Sequence, residues 1–474
     1  ASGCPDNRVT GPWFGGLGIP QTNYCPGWRL EGPAVAGWRM RDRELNGWRL
    51  TGHDPEQAEK SSNSSDLWWV PVSLTLDGSE FLETRPDIWL RPDEPETRIH
   101  DHGLTDQTRW VLMNSQMTSF YRCNYDSRNW DLIRIALMTH HESIHVNNRA
   151  QLIDDAMSLA RAELLDYTRA LELTKYLVYE REYAPWKAAL RDMQYIGKML
   201  IKTGGYGAFK DYIKNLLLPI YEKLSFRPAE SVTGDYDDIS VPLKTSLILD
   251  WACLVEIPGC LTYAKKEYKE WMDNYDVENP DKPILNPNYK DLIYCNGITY
   301  GASAEWDHAW THYTRTAYAS EVSNMIVSLA CTKEVWLINK YLEITVQLEN
   351  STLRRHDTED AFSYIATNVI GTPFAFNFLK SRWDEVMAAY GGGRAVLETI
   401  LEPFGAAFNT EGEVELLKEL REDHITDFAA FRAFDQALES ARINTLWMEN
   451  FYEKLVTWFD DNKNDLITLR NARR

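Results

Sequence analysis

The 474-residue chain has no run of eighteen or so uninterrupted apolar residues, so no segment of it is expected to span a bilayer. Basic charge is scarce as well. Fifty lysines and arginines stand against 70 aspartates and glutamates, a formal net charge of −20 spread without long runs. That balance, with no basic-aromatic platform, argues against nucleic acid or an anionic membrane surface as partner. The first residues lack a signal-peptide pattern, and Arg470-Asn471-Ala472-Arg473-Arg474 is not the apolar tail of a lipid-anchor signal. Any secretion or anchoring signal is therefore expected outside this chain.

With 44% hydrophobic residues and 18 tryptophans, the chain is long and apolar enough for two or more domains with proper cores. Residues 1–66 differ from the rest. They contain no lysine before Lys60, are crowded with Gly, Pro and Trp, and repeat Gly-Trp-Arg at 27–29, 37–39 and 47–49. They read as an irregular segment, or as an out-of-frame translation of G/C-rich codons.

From Leu67 the character turns to β. Trp68–Thr75, Phe81–Leu90, Trp110–Asn114 and Phe120–Tyr125 are short β-prone runs separated by Asp-Gly, Pro-Asp and His-Gly breaks, which predicts a small β-sandwich over 67–126. Residues 127–474 read as helical, with apolar residues near a 3.6 period. They are punctuated by Gly204-Gly205, Pro219, Pro228, Pro242, Pro258-Gly259, Pro283, Pro287, Gly371, Gly391–Gly393 and Pro403. Paired helices without heptads or a strict repeat predict a HEAT- or armadillo-like α-solenoid. The fold class expected is thus mostly α, a small β-sandwich followed by a large α-solenoid.

One motif suggests metal chemistry. His141-Glu142-Ser143-Ile144-His145 spells H-E-x-x-H, in which two histidines one helical turn apart share a zinc and the glutamate acts as base. The chemistry needs a continuous helix. Here Val146-Asn147-Asn148 follows at once, and a new helical period runs through Ile153, Ala156, Met157, Ala160 and Leu164. Asn147 or Asn148 reads as an N-cap, leaving the five residues at the end of the preceding segment and in a loop. Glu163 is the available third ligand, so His141, His145 and Glu163, with Glu142 as base, are the candidates of a metalloprotease reading that the context disfavours.

The cysteines point to an oxidising compartment. Cys253 and Cys260 are too far apart for a bridge on a continuous helix, but Pro258-Gly259 breaks the helix and lets Cys260 fold back. Cys295 and Cys331, on two later helical segments, make a second plausible pair. Buried reduced thiols are the alternative for all four. Sequons at Asn63 and Asn350 agree with an extracellular, glycosylated chain.

Several stretches in order now resemble the C-terminal half of aminopeptidase N and its relatives, the gluzincin aminopeptidases. They are Trp110–Asn114, Tyr121–Asp126 with Trp130, Asn148–Ala156, Glu180–Trp186, Glu305–Trp310 and Phe408–Glu411. The resemblance runs from about Leu67 to the last helices, and both cysteine spacings agree with disulfides usual in that family. It implies the sandwich and helical superhelix of an enzyme whose β saddle and thermolysin-like catalytic domain this chain lacks. Zinc belongs to the parent family, and none is expected to be bound here.

The family's zinc glutamate follows after eighteen residues, whereas seventeen separate His145 from Glu163. The amine-binding G-x-M-x-N pattern is missing, and Trp447-Met448-Glu449-Asn450 imitates only its ending. No catalytic residue is carried over. Where the family has Gly-Tyr-Tyr-Arg-Val, this chain has Ser119-Phe120-Tyr121-Arg122-Cys123, with Cys123 expected as a buried thiol. By resemblance the helical part caps and supports a catalytic domain, its partner, and limits which peptides reach the active site along a concave face. Trp306, Trp310 and Trp383 are candidates to line that face, although at helical spacing such residues usually belong to the core. Two other readings remain: a self-sufficient metalloprotease, and a stand-alone solenoid that binds proteins.

Overall fold

The structure, a computed structural model, describes residues 37–44, 47–51, 69–91, 96–99, 108–224, 239–347, 352–391, 393–424 and 428–472. Among the described residues eight strands come first: β1 (Gly37–Glu44), β2 (Gly47–Thr51), β3 (Val70–Val72), β4 (Leu74–Leu76), β5 (Ile88–Leu90), β6 (Glu96–Ile99), β7 (Val111–Met113) and β8 (Arg122–Asn124). They form a four-stranded sheet in the order β6-β2-β1-β8 and two pairs, β3-β5 and β4-β7. All pairings are antiparallel except β1 with β8.

Helices follow to the end. They are α1 (Ser127–His140), α2 (Val146–Arg161), α3 (Tyr167–Thr174), α4 (Tyr183–Leu200), α5 (Tyr206–Tyr221), α6 (Ser240–Leu254), α7 (Pro258–Asp273), α8 (Lys290–Thr299) and α9 (Ser303–Arg315). After them come α10 (Ala319–Leu329), α11 (Val335–Thr345), α12 (Thr358–Thr367), α13 (Gly371–Ser381), α14 (Trp383–Tyr390), α15 (Arg394–Ala407), α16 (Glu411–Asp423), α17 (Phe428–Asn462) and α18 (Asp465–Ala472). The chain is mostly α, with a small sheet assembly ahead of a large helical region.

Two compact units divide the described residues. The first runs to Met193 and adds Leu218–Ile220 and the segment from Asn464; the second comprises Gln194–Leu217 and Tyr221–Lys463. In the first, α2 lies against β8 and α3, and α18 returns to the turn at Lys175–Val178, where Tyr179 Oη donates to the Leu469 carbonyl (3.2 Å). In the second, α7 packs on α8, α8 on α10, α10 on α12, α12 on α15, and α15 on α17. Successive contacts thus run along the chain from one helix to another one to three places on, as solenoid stacking requires. Gly405 permits the last contact, because a Cβ there would lie 2.7 Å from the Ala437 Cα.

Three local expectations differ from the structure. Residues 37–44 and 47–51, read as irregular, are strands; Trp38-Arg39-Met40-Arg41 and Trp48-Arg49-Leu50-Thr51 in fact alternate apolar and polar residues with the period of a strand. The run Phe81–Leu90 forms a strand only at its end. Pro86 has no N–H to donate, and the Asp87 carboxylate instead accepts from the Leu74 amide (2.7 Å), fixing the entry to β5. Pro219 and Pro403 lie inside α5 and α15 rather than between helices. Pro219 is in the last turn, so the one i−4 hydrogen bond it cannot donate is lost close to the end of the helix. The rest of residues 1–66, with Asn63 and Asn350, lies outside the described residues.

Both expected disulfides are present, Cys253–Cys260 and Cys295–Cys331, with Cα separations of 5.2 and 5.4 Å. Helix α6 ends at Leu254, Glu256 adopts a positive φ of 57°, and Pro258 starts α7, which is how seven residues bring the first pair together. Cys123 is a buried free thiol. No single helix among the described residues is long and apolar enough to cross a membrane. The pair α6 and α7 reaches that composition together but is bent by 104°.

Candidate functional site

The H-E-x-x-H residues do not share a helix. His141–Ser143 form one 3-10 turn, Ile144 is extended (φ −104°, ψ 129°), and His145 (φ −55°, ψ 142°) is the N-cap of α2. The two imidazoles therefore lack the i, i+4 relation of a zinc pair. The cap is His145 rather than Asn147 or Asn148, because its Nδ1 accepts the Asn147 amide (3.3 Å), the task usually done by a short polar side chain.

His141 is buried with its ring beside Tyr176, and His145 lies beside Phe81. Burial, then the charge of Arg149, depresses the basicity of the His145 ring. Glu142 and Glu163 are exposed, and Glu163 sits past the end of α2 at a positive φ of 61°. Among the described residues no group of three or more His, Cys, Asp or Glu is placed to hold a metal ion. The donors do not fit a zinc centre.

What the motif does instead is supply carbonyls. Arg149 Nη1 donates to the Ile144 (2.6 Å) and His141 (3.3 Å) carbonyls, while its Nε and Nη2 grip Glu180 at 2.7 and 3.2 Å. Glu180 also accepts from the Arg181 and Glu182 amides and the Tyr176 hydroxyl. Burial pushes the Glu180 carboxyl up, but the Arg149 bonds and charge outweigh it and hold it below the usual carboxylate range. Asn148, meanwhile, is buried and donates to the Asn114 carbonyl (2.9 Å), so α2 is tied to the sheets at its first turn.

One turn further on, α2 carries Asp154 and Asp155. Arg122 of β8 reaches both, at 2.5 and 3.3 Å, and Arg191 of α4 pairs with Asp154. Asp155 accepts from the Cys123 amide (2.9 Å) and from Gln151, yet burial lifts its carboxyl to about 7. Asp192 is lifted to about 7 by the same cause, and its Oδ2 is buried without a hydrogen-bond partner.

The other motifs are structural in the same way. Trp186 Nε1 donates to the Glu180 carbonyl and Trp306 Nε1 to the Leu329 carbonyl. Thr410 caps α16, and Asn409 donates to the Met199 carbonyl (2.9 Å). Trp447–Asn450 lie inside α17, where the Trp447 ring meets Tyr195 edge-on. Of the tryptophans considered for a lining role, Trp306 and Trp383 are buried; Trp310 is half-buried and stacks on Trp306 at 5.5 Å.

Surface features missed in the sequence are more suggestive. In the first unit Phe120 (107% exposed), Leu82 (80%), Trp69 (56%) and Trp89 (53%) stand in solvent, with Met117 nearly as open. The register pairs Pro71 with Trp89, which places Trp69, two residues before Pro71, on the same face as Trp89. Gln116 Nε2 holds the Phe81 carbonyl (2.6 Å), bringing Leu82 beside the 114–120 loop that carries Met117 and Phe120. Isolated exposed apolar residues need no explanation, but two tryptophans on one sheet face, with Leu82, Met117 and Phe120 in loops of the same unit, make a candidate interaction surface.

The model of the ERAP1-like C-terminal domain matches residues 110–443. Aminopeptidase N of Bos taurus is 34% identical over 409 residues, covering 85% of this chain and 40% of that protein. Human aminopeptidase N is 32% identical over 420 residues, with 86% and 41% covered. The thyrotropin-releasing hormone-degrading ectoenzyme of Rattus norvegicus is 28% identical over 405 residues, with 85% and 37% covered. The chain thus spans about 40% of the length of these relatives.

Proposed function

The chain belongs to the ERAP1-like C-terminal domain family, the C-terminal half of aminopeptidase N-like enzymes, and on that premise we propose that it caps and supports a zinc aminopeptidase without performing the chemistry itself. The observation that carries this reading is the apolar surface of the first unit, Trp69, Leu82, Trp89, Met117 and Phe120. Its occupant is the catalytic domain. The matched region is about 40% of the relatives' length, so the remainder of such an enzyme is a large body for this surface to face, and the surface is of the apolar kind that a permanent interface buries.

Zinc then belongs to that partner, held by residues outside this chain. The helical region acts by enclosing peptides over the partner's active site, so that which peptides are trimmed depends on the opening and closing of the cap. Paired cysteines in the helical region, and the word ectoenzyme in the name of one relative, support an extracellular or cell-surface setting.

Complementation tests the reading. The chain is co-expressed with the part of bovine aminopeptidase N that precedes the matched region, and complex formation and release of amino-terminal residues are measured. Wild-type chain is expected to associate and to raise activity; Phe120→Asp with Trp89→Asp is expected to fold, with both disulfides formed, but not to associate. Equal association of the variant would overturn the interface. Chelator-sensitive release of amino-terminal residues by the purified chain alone would overturn the division of labour.

A further inference from the structure

The second unit contains a pocket of about 80 Å³, several times the roughly 10–15 Å³ that one water needs. Trp271 of α7, Lys290 and Tyr294 of α8 and His312 of α9 line it, with the 280–285 segment on one side and the start of α10 on the other. Its two carboxylates are already engaged. Glu321 accepts from Lys290 Nζ (2.7 Å) and Tyr294 Oη (3.1 Å), and Asp281 accepts from Thr316 Oγ1 (2.5 Å) and the Ala317 amide (3.1 Å).

Lys290 and Tyr294 are thus taken up by Glu321, but among the described residues three other donors of the lining make no hydrogen bond. His312 is 2% exposed; its Nδ1 lies 3.2 Å from the Tyr275 hydroxyl, while Nε2 is buried, 3.5 Å from Glu321 Oε2, and makes no hydrogen bond. In the tautomer whose Nδ1 accepts from Tyr275, Nε2 carries the hydrogen. Among the described residues the exposed Lys282 ammonium and Ser320 hydroxyl have no side-chain partner. Tyr318 gives α10 no side-chain cap, so the first amides of an eleven-residue helix are open at the rim, at its positive end.

We propose that this pocket binds a small monocarboxylate, of acetate to alanine size. The groups left over are all donors, so the ligand is an acceptor. Lys282 and Lys290 balance Asp281 and Glu321, and the helix end adds only partial positive charge, which suits one negative charge better than two. Trp271 and Tyr294 supply an apolar wall for a short carbon stub. The class includes short-chain organic acids and small free amino acids. The site lies within one unit and does not depend on the cap reading.

The test is ligand-observed saturation-transfer NMR and titration calorimetry on the full chain with acetate, L-alanine, acetamide and inorganic phosphate. Acetate is expected to bind saturably and acetamide, equal in size but uncharged, not to bind. Alanine binding more tightly than acetate assigns the site to amino acids; weaker binding assigns it to organic acids. Lys282→Ala and Ser320→Ala, both at exposed positions, are expected to weaken acetate about tenfold in combination, and His312→Gln to weaken it further. No saturable acetate binding at tens of millimolar, equal binding of acetamide, tighter binding of phosphate, or unchanged affinity in the Lys282 and Ser320 variants would each overturn the proposal.

Discussion

The junction around Arg149 in the first unit and the pocket around His312 in the second both bury charge, but they complete it differently. At the junction Glu180 receives both ends of the Arg149 guanidinium, two backbone amides and a tyrosine hydroxyl, while the remaining Arg149 donor binds two carbonyls. At the pocket Glu321 accepts only from Lys290 and Tyr294, and the neighbouring imidazole nitrogen is left without a hydrogen bond. A closed network fixes a backbone, and an open one leaves donors for something else. An H-E-x-x-H string in the first unit is thus part of a structural tie, whereas residues with no motif at all form the better candidate for binding.

The sharpest way to break the contrast is to cut the closed network. Arg149→Ala or Glu180→Ala strands the opposite charge in a buried site, and each is expected to destabilise the chain by about 3–5 kcal/mol. Denaturant unfolding measures this, and a loss below 1 kcal/mol would mean that the pair is solvated in solution. Lys282→Ala, at the exposed rim of the open network, is expected to change stability by less than about 0.5 kcal/mol.

The disulfides give the next largest effect. In the chain-entropy view, opening Cys295–Cys331, which closes a separation of 36 residues, costs about 4 kcal/mol, and opening Cys253–Cys260, seven residues apart, costs about 2 kcal/mol. Paired Cys→Ser variants compared in one unfolding series check the order. A larger loss from the short bridge would show that it holds the α6–α7 bend in the native state rather than restricting the unfolded chain.

How much of this was readable beforehand follows the range of each interaction. Helical periodicity from Ser127 onward, the break at Pro258-Gly259 and the separation of His145 from a metal-binding helix are local, and the structure follows them. The cap at His145 was misplaced because histidine is an uncommon N-cap and two asparagines stood next to it. Trp38–Arg41 alternated visibly, yet the Gly- and Pro-rich setting masked a strand whose partners are 122–124 and 47–51. The pocket had no sequence signal. Trp271, Lys282, His312 and Ser320 converge from four segments, and no spacing in a single chain announces such a meeting. The apolar surface was hidden for another reason: Phe120 and Leu82 look like core residues until burial is known.

The smallest effect separates the junction from its own margin. Asp155, buried, and Asp192, half-buried, lie near Arg122, Arg191, Asp154, Tyr121 and Cys123, and both hold their protons up to about 7 instead of the ordinary 3.8. An acid whose pKa is higher folded than unfolded binds more protons in the native state throughout the window between those values. Stability therefore falls as pH rises from about 4 through about 7, and is level above. Between about pH 6 and 8 each carboxyl contributes a loss of roughly 1 kcal/mol. Asp192→Asn, which replaces a carboxyl whose Oδ2 has no partner with a neutral group of the same shape, is expected to remove its share of that slope while leaving the stability at pH 6 nearly unchanged. Unfolding midpoints of wild type and variant at the two pH values measure the difference. If the two chains lose stability in parallel, Asp192 is ionised well below neutrality and the margin of the junction is as fully compensated as its centre.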